Sequence, residues 1–155
     1  MKPKDEAADL VARGRRLNDA GRAEEALKIF GDAEKLDPSS AEAQIGLGDA
    51  LDRLGRLEEA RERYGRALAL DGSYIGARLA RASVSGRLGD IAAAFDDLEI
   101  YLEQRPDAAD ALILRGCCLA WAGNKEQASR DFDRAVELDP AEKPRVDDLR
   151  TKLLA

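Results

Sequence analysis

Apolar and small residues recur along this chain at helical spacing, and that pattern itself repeats every 34 residues. Leu10, Gly14 and Leu17 are separated by four and then three positions, as are Ala26, Phe30 and Ala33. This spacing brings side chains onto one face of an α-helix. Between the two runs stands Gly21, the first of a row continued by Gly55, Gly89 and Gly123. Glycine accepts the left-handed backbone that closes a helix, so each position predicts a break. Past the break, Asp90 and Asn124 are suited to cap a helix, and Glu24, Glu25, Glu58 and Glu59 place negative charge on its first turn. The second run of each period ends before Pro38, Pro106 or Pro140, with Gly72 in the same row. Proline cannot donate a backbone hydrogen bond and disfavours helix in the residue before it. The pattern therefore predicts a pair of amphipathic helices in each of residues 7–40, 41–74, 75–108 and 109–142. A ninth helix is predicted from about Pro144, where Val146, Leu149 and Leu153 resume the first-helix spacing.

Further rows keep the same phase. They are Gly14, Gly48, Ala82 and Gly116; Leu17, Leu51, Ser85 and Leu119; Ala26, Ala60, Ala94 and Ala128; Phe30, Tyr64, Leu98 and Phe132; and Ala33, Ala67, Tyr101 and Ala135. In this order and at this period they resemble the tetratricopeptide repeat family. Residues 60–71 (ARERYGRALALD) and 128–140 (ASRDFDRAVELDP) are similar to its second helix almost position by position. The chain departs from the motif where an early aromatic is expected, with Leu10, Gln44, Arg78 and Leu112 there instead, and in repeat three, which carries Ser85 and Tyr101. The resemblance implies an all-α fold, a right-handed α-solenoid forming a single domain over 1–155 and closed by a C-terminal capping helix at 143–155. One such helix pair cannot bury its apolar face alone, so stability is expected from neighbour interfaces, with the capping helix covering repeat four.

Composition narrows the function. A formal charge of −6 argues against a broad phosphate-binding face, so neither nucleic acid nor an anionic membrane is an expected partner. The first ten residues are charged and no 18-residue apolar run occurs, which predicts neither a secretory leader nor membrane insertion. Cys117 and Cys118 are sequence neighbours, poorly placed to bridge one another. They read as small packing residues, as thiols, and the expected compartment is the cytoplasm. Richness in Arg, Ala, Asp and Gly points to a bacterial source. With no histidine, the commonest general base is missing, and no phosphate-cradling glycine loop is present. The reading is a non-enzymatic protein with no cofactor and no metal.

In the family, first helices line a concave groove that takes a partner peptide or helix. Carried onto this chain, the resemblance implies groove positions Val11, Arg15, Asn18, Ile45, Asp49, Arg53, Leu79, Ser83, Arg87, Ile113, Leu114, Cys117 and Trp121. Arg15, Arg53 and Arg87 are the expected anchors for a partner carboxylate. Ile113, Leu114 and Trp121 have an alternative place, under the capping helix through Leu153 and Leu154. Some family members hold the acidic tails of heat-shock chaperones with a clamp of Lys, Asn and Arg. The matching positions here are Val11, Arg15, Gly46, Gly76 and Ala80, or Ile45, Asp49, Ala80, Asp110 and Leu114, and neither set fits. The expected function is a protein-interaction scaffold. The alternatives are self-assembly into a homo-oligomer and a secretion-type chaperone for an apolar client segment.

Overall fold

The computed structural model describes residues 2–155, and among them helix is the only regular structure. Eight helices form four pairs. They are α1 (Pro3–Asp19) with α2 (Ala23–Leu36), α3 (Ala41–Arg53) with α4 (Leu57–Leu70), α5 (Ile75–Arg87) with α6 (Ile91–Gln104), and α7 (Ala109–Trp121) with α8 (Lys125–Leu138). A short 3₁₀ turn, Pro140–Glu142, leads into α9 (Lys143–Leu153). Among the described residues the nine helices and the breaks within each pair follow the predicted pattern, with α1 beginning at Pro3, ahead of residue 7.

Each break within a pair falls where expected, and for the expected reason. Gly21, Gly55, Gly89 and Gly123 have φ of 75°, 75°, 82° and 86°, in the left-handed region. There the amide of Gly21 donates to the Asn18 carbonyl and that of Arg22 to the Leu17 carbonyl, at 3.0 and 2.9 Å. This pairing satisfies the carbonyls that a helix end leaves open. Asp90 and Asn124 cap α6 and α8, accepting from the amides of Ala93 and Gln127. In the first two repeats an ion pair at the same phase takes the cap's place. Arg22 forks onto Glu25 and Arg56 onto Glu59, all four contacts at 2.6–2.7 Å.

The junctions between repeats close on an aspartate. Asp37 accepts from the amide and hydroxyl of Ser39, Asp71 from the amide of Ser73, and Asp139 from the amide of Ala141. These residues share one phase of the period, with Arg105 in the third place.

The chain divides into two compact units, 1–84 and 85–155, with the boundary inside α5. In the first, α1 packs on α2 and α3, and α3 packs on α2 and α4. Its core gathers Val11, Ala26, Phe30, Ala33, Ala43, Leu47 and Ala50. Small residues on the first helices make room for the aromatic ring of the second. A Cβ on Gly14 would lie 2.7 Å from the Phe30 ring, and one on Gly46 2.2 Å from it, so the ring fills a slot between two glycines. In the second unit α7 packs on α6, α8 and α9. A Cβ on Gly116 would lie 2.6 Å from the fully buried Phe132. Val146 of α9 is fully buried as well, and so anchors the closing helix.

Candidate interaction surface

The first helices present their side chains in two compositions, one in each unit. In the first unit the surface is polar and internally paired. Arg15 of α1 reaches Glu42 of α3 at 3.4 Å, and the Tyr74 hydroxyl donates to the same carboxylate at 3.2 Å. About two turns further along α3, Asp49 accepts a 2.6 Å hydrogen bond from the Tyr64 hydroxyl and feels the charges of Arg53 and Arg15. Ile45 is half-buried beside these groups on α3, and Leu79 and Ser83 are half-buried on α5. Arg53 is exposed and lines a surface cleft of about 550 Å³ with Leu54 and the start of α2, Gly21 to Glu25. Arg22 and Arg53 stand there against Glu24 and Glu25, so the cleft carries no net charge.

Burial holds the Asp49 carboxyl above the usual carboxylate range, against the opposing effect of the Tyr64 hydrogen bond. A carboxyl whose folded value is raised contributes most below its unfolded value of about 3.9, and that contribution is lost as pH rises through the folded value. Asn at this position keeps an acceptor for Tyr64 without the desolvated charge. Asp49→Asn is therefore expected to melt higher than the parent at pH 7, with the advantage gone at pH 3. A variant less stable than the parent at pH 7 but equal to it at pH 3 would show instead that the ionised carboxylate is stabilising. Glu34 behaves in the opposite way: burial pushes its carboxyl up, but donors from Gln44 and Arg63 outweigh that and hold it below the usual range. Comparing parent and variant at one pH cancels its contribution.

Four of the expected groove residues lie inside the molecule. Val11 is 2% exposed and belongs to the core around Phe30, and Asn18 is buried on the same side of α1. Ile113 and Cys117 are buried on α7, against which α9 packs, and Arg145 of α9 acts electrostatically on the Cys117 thiol. Leu114 is half-buried. The capping helix does not take Trp121 with them: that ring remains 52% exposed at the end of α7, its Cζ3 4.0 Å from where a Cβ on Gly86 would stand. Arg87, the next residue after that glycine, is exposed. Burial raises both thiols, Cys118 to about 11, so at neutral pH they are protonated packing groups. Among the described residues no three His, Cys, Asp or Glu side chains converge as metal ligands, and no helix is long and apolar enough to cross a membrane.

Two polar networks were not anticipated. Gln44, buried in a row where an aromatic was expected, donates to Glu34 at 2.8 Å and accepts from Arg63 at 3.2 Å, while Arg63 also holds Glu34 at 2.6 Å. In the second unit Arg115 forks onto Asp131 with two 2.8 Å bonds and reaches Glu99 at 2.7 Å. The signal for the first was Gln44 itself, since a buried amide requires partners.

The repeat spacing, the glycine-closed helix pairs and the aromatic slots coincide with matches to two tetratricopeptide repeat family models, over residues 17–83 and 109–142. The chain belongs to the tetratricopeptide repeat family. Solved structures agree. MamA 41-end from Desulfovibrio magneticus RS-1 superposes with a TM-score of 0.86 at 22% identity, over 96% of this chain and 85% of that one. Pseudomonas aeruginosa pilF gives 0.82 at 20% identity, over 98% and 71%. The second tetratricopeptide domain of human RPAP3, in complex with the HSP70 peptide SGPTIEEVD, gives 0.70 at 25% identity, over 75% and 97%. No curated protein matches the sequence. As a tetratricopeptide repeat protein, the chain is a protein-interaction scaffold.

Proposed function

We propose that this tetratricopeptide repeat protein binds a peptide or helix of a partner protein along its first helices, without catalysing a reaction, and that it works in the cytoplasm. The observation that carries the reading is Trp121. A large aromatic ring left half in water at a groove position, while every member of the aromatic row is buried, is the kind of residue on which binding energy concentrates. Ile45, Leu79 and Leu114 supply half-buried apolar contacts, and Arg15, Arg53 and Arg87 supply charge. The RPAP3 complex supports a peptide as ligand class. It does not support that acidic tail as the ligand here, since Val11, Gly46, Gly76 and Ala80 stand at clamp positions. The adjacent, unpaired thiols suit a reducing compartment.

The test is quantitative capture of partners from the native host by the parent, by Trp121→Ala and by the double variant Arg53→Glu/Arg87→Glu. Each variant is expected to lose at least about tenfold in recovery of the same partner, given roughly 1.5–3 kcal/mol for a hydrogen bond to a charged group at the arginines and about 2 kcal/mol or more for truncating an aromatic anchor at Trp121. Helicity and melting should hold, since all three side chains are exposed. Undiminished capture by both variants would move the binding surface elsewhere on the molecule.

A further inference from the structure

The outward flank of α1 combines a half-buried apolar stripe with charges ordered along the helix. Ala7, Val11, Gly14 and Asn18 form its buried side. At about 100° per residue, Arg15 falls on one flank, where it meets Glu42 of α3, and Glu6, Leu10, Arg13 and Leu17 fall on the other. Leu10 and Leu17 pack their inner edges on the core and leave their outer edges accessible. Beside them stand Glu6 and Arg13, and Asp9 and Arg16 follow on the adjoining outermost face of the helix, so acids occupy the N-terminal half and bases the C-terminal half, all four exposed. Charge of this polarity suits the helix dipole at the two ends. Its order along the outer edge of a leucine stripe goes further, because it makes this face complementary to itself in reverse.

We propose that this flank is a docking surface for a second copy of the chain, with α1 lying antiparallel on α1. With the two-fold axis level with residue 11, Asp9 of each copy faces Arg13 of the other, Glu6 faces Arg16, and the two Leu10 side chains meet beside the axis. An isologous contact of this kind closes on itself as a dimer. The charges already around the stripe leave the pairing intact. Glu25 of α2 lies near enough to Arg13 to act on it electrostatically, but is itself held by the fork of Arg22. A helix of 17 residues spans roughly 25 Å, too short to bury the area of a standard interface. The dimer is therefore weak, with a Kd on the order of 10–100 µM, and weakens further with added salt. This inference is independent of the groove reading, since Trp121, Arg53 and Arg87 lie outside α1 and Arg15 falls on its other flank, against Glu42.

Sedimentation equilibrium from about 10 µM to 1 mM tests it with charge swaps. The full chain is expected to move from monomer to dimer mass over that range. Glu6→Lys/Asp9→Lys and Arg13→Glu/Arg16→Glu are each expected to remain monomeric, because either double swap sets like charges opposite one another. An equimolar mixture of the two swapped proteins restores all four pairs, and is expected to form a heterodimer at least as tight as the parent dimer. The proposal is overturned if the parent stays monomeric at 1 mM, if either swapped protein alone associates as the parent does, or if the mixture fails to associate. All four swapped residues are exposed, so unchanged circular dichroism and melting will confirm that folding is intact.

Discussion

A chain ending at residue 142 is expected to lose several kcal/mol of stability and to form large aggregates that the full protein does not form. Its missing part, α9, buries Val146 completely and Leu149, Leu153 and Leu154 in part. It also places Arg150 against Asp133 of α8, and the Ala155 oxygen just beyond it accepts from Lys125 at 3.0 Å. The ion pairs sit at an exposed edge and contribute little. The apolar term dominates: at about 1.5–3 kcal/mol for a fully buried aliphatic side chain, Val146 with three partly buried leucines gives roughly 3–5 kcal/mol. Truncation would in addition uncover Ile113 and Cys117 on α7. Thermal melting and light scattering on the two proteins measure the effect. Equal melting temperatures with no aggregation would mean that repeat four closes without the helix.

The second large effect is expected from a single methyl group. Gly46→Ala would set a Cβ 2.2 Å from the Phe30 ring, a fully buried ring that Gly14 also crowds closely, a Cβ there falling 2.7 Å from it. A clash with so confined a ring should cost about 3 kcal/mol, the upper end of overpacking penalties. The remedy is visible elsewhere in the chain. The precedent is at the row of the other glycine beside the ring: repeat three carries Ala82 in the row of Gly14, where the other repeats carry glycine, and in the same repeat Leu98 where the others carry an aromatic. Both residues are fully buried. Combining Gly46→Ala with Phe30→Leu should therefore cost less than the sum of the two single changes. A double-mutant cycle by chemical denaturation reads that coupling directly. Strict additivity would show that the ring and the glycine are not the pair that matters.

What the sequence revealed and what it hid divide along physical lines. Helix ends depend on local backbone chemistry, so Gly21, Gly55, Gly89 and Gly123 declared themselves, as did the caps Asp90 and Asn124. The place of α9 was equally legible, because Val146, Leu149 and Leu153 carry their own periodicity. Exposure on the first helices was not, since it depends on what another element lays over them. Ile113 and Cys117 carry the groove spacing of Ile45 and Asp49, yet lie buried where α9 packs on α7, and only that packing separates them from Trp121. The polar networks were hidden for a related reason. Arg63, Glu34 and Gln44 come from three helices, and long side chains meet at points that no spacing within one helix encodes.

The aspartate-closed junctions bear on how such a chain can change length. At Asp37 with Ser39, and at Asp71 with Ser73, the connection between one pair and the next is satisfied by residues no more than two positions apart. A duplication of one whole period at either site would carry its own joint, and the new copy would meet neighbours already shaped for it. The third junction, with Arg105 in the aspartate's place, closes there through its backbone alone, the Arg105 carbonyl accepting from Ala108 at 3.3 Å. Lengthening by recombination is therefore easier in the first half of the array than at the boundary between its third and fourth repeats.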